Sequence, residues 1–160
     1  SSTPPVGTHP MMVDLIDAAA KEVLGDWDIN ETSLLVIGHG SGKNPCSKQS
    51  LLGHLQQLRN SSNFGQVADL WLEEAPLVGS WKDVVSMPRV IVIPYLLNDG
   101  QHGGWDIPEE LGLEVAEDIH KKIHQIEGFE LRLTPALGTS PKFAELVMQL
   151  AEIWGQATRE

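Results

Sequence analysis

Apolar positions along the chain fall into two rhythms. Four short runs are apolar almost throughout: "LLVIG" (34–38), "VADLWL" (67–72), "RVIVIP" (89–94) and "ELRLTP" (130–135). Continuous apolar runs of this length fit strands covered on both faces, as in a parallel sheet. Between them the spacing turns helical. In "PCSKQSLLGHLQQLRN" (45–60), Leu51, Leu52, Leu55 and Leu58 share a face despite Gly53. "IPEELGLEVAEDIHKKIHQIEG" (107–128) opens on a proline and acids and closes on Gly128, which predicts one long helix. "SPKFAELVMQLAEIWG" (140–155) carries Phe143, Leu146, Val147, Leu150 and Trp154 on one face, with Ser140 as N-cap and Pro141 in the first turn. "LVGSWKDVVS" (77–86) reads as a short helix. Strands alternating with helices predict right-handed βαβ units. The expected architecture is α/β, a three-layer sandwich with a four-stranded parallel sheet and helices on both faces. In such sheets, sites form where loops leave the carboxyl ends of the strands.

The pattern also repeats. "TPPVGTHPMMVDLIDAAA" (3–20) aligns without gaps on "TPALGTSPKFAELVMQLA" (134–151). Thr3, Pro4, Gly7, Thr8, Pro10, Leu15 and Ala20 meet identical residues, and Met12, Asp14 and Ile16 meet the similar Phe143, Glu145 and Val147. Helices share a period, but the preceding T-P-x-x-G-T-x-P has no periodic reason to recur. The reading is a duplication. Residues 1–25 are then the last turn and helix of a preceding repeat, 26–33 a linker, and 34–160 one complete domain. On that reading the chain is part of a longer, two-lobed protein.

Composition sets limits. The 160 residues suffice for a buried core, and 41% hydrophobic with 21% charged residues is ordinary for a globular protein. No apolar run approaches a membrane span, and the N-terminus shows no secretory pattern. Cys46 is the single cysteine, so no intramolecular disulfide forms, and a cytoplasmic location is expected. A net charge of −11 argues against nucleic-acid partners and anionic membranes.

The chemistry gathers after two strands. "LLVIGHGSGKNP" is not a P-loop, since Lys43 is followed by Asn44 and Ile37 stands where the first glycine belongs. It is not a dinucleotide fingerprint either, because Lys43 replaces the third glycine, and Ser41 has no nucleophile-elbow context. What remains is His39 between Gly38 and Gly40. His102 has a similar setting among Gly100, Gly103 and Gly104, just past the third strand. Two imidazoles at one sheet edge, with a carboxylate from Glu73 or Glu74 in "LWLEEAP", suit Co²⁺, Ni²⁺, Fe²⁺ or Zn²⁺. His120 and His124 sit four apart on the predicted long helix, as a solvated face, and His54 reads as packed or at the surface.

These residues resemble the small class II chelatases, typified by sirohydrochlorin cobaltochelatase. "LLVIGHGS" is similar to the family's strand and HGS turn. "VIPYLLNDGQHGGWDIPEEL" is similar to its P-x-x-L-x-x-G-x-H-x-x-x-D-I-P, "LWLEEAP" to its acidic strand end, and "LTPALGTSP" to its last strand and turn. The family inserts a divalent metal into a tetrapyrrole, usually sirohydrochlorin, on the way to cobalamin, sirohaem or a nickel tetrapyrrole. The resemblance implies a metal as substrate, Co²⁺ first with Ni²⁺ or Fe²⁺ as alternatives, and no organic cofactor. It implies that His39 and His102 bind metal and accept pyrrole protons. Glu73 becomes the assisting carboxylate, with Glu74 as the alternative because the family has more residues before the proline. Gly40, Ser41 and Lys43 would meet the macrocycle. It also implies a second chelatase-like lobe, fused or supplied by a homodimer. Tyr95, Leu96 and Trp105 are candidates for an apolar wall, and Lys43 and Lys48 for the positive region a polycarboxylate needs. The competing expectation is a non-catalytic lobe that binds metal or tetrapyrrole within a longer protein.

Overall fold

The computed structural model describes residues 9–40, 45–96, 100 and 105–159. Five strands form one sheet: β1 (Thr32–Gly38), β2 (Gln66–Trp71), β3 (Arg89–Pro94), β4 (His124–Ile126) and β5 (Phe129–Leu133). Their order is β2-β1-β3-β5-β4. β2, β1, β3 and β5 are parallel; β4 pairs antiparallel with β5. The helices are α1 (Met11–Leu24), α2 (Pro45–Ser61), α3 (Trp81–Val84), α4 (Ile107–Leu111) and α5 (Pro141–Arg159).

Strand alternation sorts the core into two layers. On β1, Leu34 and Val36 join a cluster with α1, α2 and α5; Leu35 and Ile37 join the opposite cluster with Trp81, Ile107 and Leu111. On β3, Ile91 and Ile93 face the first layer, and Val90 and Val92 the second. All eight side chains are fully buried. Truncating any of them to alanine costs about 2–5 kcal/mol for Leu or Ile, somewhat less for Val.

The expected four-stranded sheet therefore gains a fifth strand, and the predicted helix over 107–128 is much shorter. The reason is local. Gly112 adopts a left-handed conformation (φ 87°) and closes α4, its N–H bonding back to Glu109 and Pro108. Gly128, read from sequence as a helix stop, instead forms a two-residue hairpin turn with Glu127. Both have positive φ (48° and 87°), the geometry that matches strand twist. His120 and His124 thus share no helix face. His120 Nδ1 lies 3.1 Å from the Leu133 carbonyl, and His124 is buried with Nε2 2.8 Å from that of Ile119. His54 is buried in α2.

α1 belongs to this core. Met12, Val13, Leu15, Ile16 and Ala20 are buried, against β3 and α2. Residues 26–33 are equally engaged. Trp27 is buried between two guanidinium groups, Arg132 at 4.6 Å and Arg89 at 5.7 Å from the ring centre. Arg132 also donates to the Val23 carbonyl at 2.6 Å. Asp28 caps the turn Ile29–Glu31 through the Asn30 N–H, and Thr32 and Ser33 begin β1 fully buried. Of the region read as the tail of a preceding repeat, residues 1–8 lie outside the described residues.

Candidate active site

The carboxyl edge of the sheet is built around a tryptophan. Gly38 ends β1 opposite Trp71 of β2. A β-carbon on Gly38 would overlap Trp71 Cζ3 and lie 2.7 Å from Cε3, so only glycine lets the ring close over the strand end. Gly40 is held the same way. Its φ is +71°, and a β-carbon there would lie 2.8 Å from Glu74 Oε1 and 3.1 Å from Trp71 Cε3. The ring is pinned from its own side by an indole N–H to Asp69 Oδ2 bond of 2.7 Å. Lys48 of α2 stands 5.0 Å over it and bonds Glu74 Oε2 at 2.7 Å.

The main-chain ladder runs past the strands into the site. Leu72 N–H donates to Gly38 O and Glu73 N–H to His39 O, both at 3.1 Å. This sets His39 and Glu73 side by side. His39 Nδ1 is 3.6 Å from Glu73 Oε2, an ion-pair distance once the ring is protonated, and both side chains are partly open to solvent (38% and 49% exposed). The two adjacent glutamates therefore have different surroundings: Glu73 faces the imidazole, and Glu74 faces Lys48. Lys48, expected to help form a positive region, has its charge offset by Glu74.

On the other flank, Tyr95 N–H donates to Ile37 O at 2.7 Å. Burial pushes its phenol up to about 12, so it is neutral at physiological pH. Tyr95 and Leu96 are half-buried and pack against the two core layers. Trp105 is different. It is 62% exposed and, with Gly100, Asp106 and Glu109, lines an open hollow of about 510 Å³ at the entrance to α4. Gly138 N–H bonds Leu96 O at 2.9 Å, tying the turn after β5 to this edge.

Of the residues expected from sequence, His39, Gly40 and Glu73 come together. Ser41, Lys43 and His102 lie outside the described residues, as does the side chain of Cys46. Among the described residues, no three His, Cys, Asp or Glu side chains are placed to hold a metal ion. Sequence reasoning missed the role of Trp71. Its only signal was an aromatic at the end of one strand, opposite a glycine at the end of another.

Residues 33–153 match the CbiX family. The chain belongs to it. A probable sirohydrochlorin cobaltochelatase of Halobacterium salinarum is 32% identical over 149 residues, which cover 92% of this chain and 51% of the relative. The chain thus spans about half the length of the curated relative it matches. Among solved structures, DR2241 of Deinococcus radiodurans is described as a multi-domain protein similar to chelatases with two additional novel domains. It superposes with a TM-score of 0.71 at 26% identity, covering 93% of this chain and 30% of that one. A CbiX structure, described as the terminal enzyme for siroheme biosynthesis in denitrifying bacteria, gives 0.69 at 22% identity, over 94% and 60%. That likeness shows a shared CbiX fold. The match takes in the His39 turn, the Glu73 strand end and the β3–α4 connection.

Proposed function

We propose that this CbiX unit inserts a divalent metal into sirohydrochlorin or a closely related tetrapyrrole, with Co²⁺ the leading metal and Ni²⁺ or Fe²⁺ the alternatives. The carrying observation is the His39–Glu73 pair, held by the backbone ladder at the carboxyl edge of a CbiX sheet. The cobaltochelatase name of the Halobacterium relative supports the substrate and metal.

Metallation removes two pyrrole protons and strips water from the ion. A neutral imidazole offers a ring nitrogen lone pair that can accept a pyrrole proton. It also binds a borderline metal without trapping it as a thiolate cage would. His39 and His102 are the residues assigned to bind the metal and accept the protons. Glu73 beside Nδ1 stabilises the imidazolium that results. Gly40, Ser41 and Lys43 meet the macrocycle, whose carboxylates need a positive contact. Because Glu74 neutralises Lys48, Lys43 carries that task. Trp105, large and exposed beside its hollow, gives the macrocycle a flat apolar surface.

The chemistry belongs to a two-lobed protein working in the cytoplasm. Residues 1–25 are the end of the preceding lobe, 26–33 the connection and 34–160 the lobe described. The second lobe is fused, or is supplied by a homodimer. No described helix is long and apolar enough to cross a membrane.

The test is spectrophotometric insertion of Co²⁺, Ni²⁺ and Fe²⁺ into sirohydrochlorin. Turnover that falls by about two orders of magnitude or more in His39→Ala and in His102→Ala is expected. Insertion unaffected by both substitutions would remove the assignment. Tetrapyrrole or metal binding with no turnover, in the full-length protein as in this chain, would make the lobe a binding module instead.

A further inference from the structure

Lys48 is a cation placed where an anionic guest needs one, and it is already taken. The chain holds 11 basic residues against 22 acidic ones, so a positive charge near the turn after β1 is scarce. Lys48 stands there, on α2, 5.0 Å over the Trp71 ring. Yet its ammonium lies 2.7 Å from Glu74 Oε2 rather than open to an incoming anion. Stability does not account for the pairing. The two side chains are 30% and 33% exposed, and a pair so wetted contributes little.

The position of Glu74 suggests another task. Its carboxylate reaches from Lys48 to the His39 turn, where a β-carbon on Gly40 would lie 2.8 Å from Oε1 and 2.9 Å from Cγ. It therefore lies between the ammonium and the backbone expected to meet the macrocycle. A carboxylate from solution that approaches Gly40 finds another carboxylate in its path. The Trp71 ring beneath is buried and fixed by its bond to Asp69, so it is a rigid floor. Lysine is a compact charge with three donors on a flexible stem, and it can turn from one carboxylate to another across that floor. Glu74 belongs to the same chain and acts at a high effective concentration, so a free monocarboxylate does not displace it. An anion anchored elsewhere on the site does, because its second contact is intramolecular as well.

We propose that Glu74 is an internal competitor for the carboxylates of the tetrapyrrole. It holds Lys48 against them, loosens binding of the macrocycle, and restricts Lys48 to ligands that carry several carboxylates. Glu74 acts through Lys48 and is a positioning residue. The inference rests on the tetrapyrrole reading above and is independent of which metal is inserted.

Equilibrium and stopped-flow binding of metal-free sirohydrochlorin test it. The forms compared are the parent, Glu74→Gln, and Glu74→Gln combined with Lys48→Met. Glu74→Gln frees the ammonium and should bind at least about fivefold more tightly than the parent, with the gain in slower dissociation, as a direct contact gives. The double variant is neutral at both positions, like the pair it replaces, and should bind within about twofold of the parent. Equal or weaker binding by Glu74→Gln overturns the proposal. So does a gain that survives in the double variant or lies in faster association alone, because loss of one negative charge from the rim then explains it. Sirohydrochlorin bound by the parent without these differences removes this inference and leaves the insertion reading standing. Sirohydrochlorin bound by none of the three forms removes both.

Discussion

Gly38→Ala probes whether the Trp71 ring shapes the His39 turn. The added methyl would sit 2.7 Å from Cε3 of a ring that is 3% exposed, fixed to Asp69 and lying under Lys48. Relief requires the ring or the strand end to move by roughly 1 Å, to reach ordinary carbon contact. Overpacking of this kind costs about 1–3 kcal/mol. For a chain of this length each kcal/mol lowers the melting temperature by about 2–4 °C, so a fall of roughly 2–12 °C is expected. The same shift moves Gly40 and the Glu74 side chain, and a displaced site should insert cobalt about tenfold more slowly. Gly53→Ala is the control: apart from the backbone of α2 itself and its chain neighbours, no atom of the described residues lies within 4 Å of the added methyl. It should gain about 0.5–1 kcal/mol from helix propensity alone. Thermal denaturation by circular dichroism reads both variants. If Gly38→Ala melts with the parent while Gly53→Ala gains stability, the ring does not rest on the turn and this account of the site is wrong.

Three further outcomes follow from the same geometry. Glu73→Gln should slow insertion by at least about tenfold with an unchanged melting temperature, whereas Glu74→Gln should keep insertion and lose at most about 1 kcal/mol, the worth of a partly exposed ion pair; the reverse order of effects would exchange their roles. Tyr95 is the only tyrosine, so near-ultraviolet titration of tyrosinate reports it alone. Its folded pKa of about 12 stands above the unfolded value of 10.0, so the unfolded chain loses its proton first. Stability from this group is complete below pH 10, is lost as pH rises towards 12, and amounts to about 3 kcal/mol in all; a titration midpoint near 10 in the folded protein would contradict it. Trp105→Ala should raise KM for the tetrapyrrole by roughly tenfold while kcat stays within a factor of two, since a stacking surface contributes about 1–2 kcal/mol to binding; an unchanged KM would free Trp105 from that role.

Much of this was legible because a few residue types leave little choice. The continuous apolar runs of β1 and β3 are short and rich in Val and Ile, which favours strands covered on both sides, and their alternation between two core layers follows from the pleat. His39 was found because glycines flank it at a strand's end. For the carboxylate, spacing leaves Glu73 and Glu74 both open and only the family resemblance prefers Glu73; the extension of the ladder past Trp71 is what turns one to the imidazole and the other to Lys48. The single helix expected over 107–128 fails because a glycine closing a helix and a glycine in a hairpin turn look alike in sequence: Gly112, not Gly128, is the terminator. Trp71 was invisible for a different reason. Its task is to fill space that two glycines vacate, and a vacancy leaves no mark on the residue that fills it.

The Trp27 clamp bears on how a cleft could work. With its indole held by Arg89 and Arg132, and Arg132 gripping the end of α1, the stretch from α1 to β1 is cemented at the rim opposite the histidine. Bending there would break all three contacts. Any movement that admits the proposed macrocycle therefore costs least above the sheet, with the crossing segment as its fixed bearing.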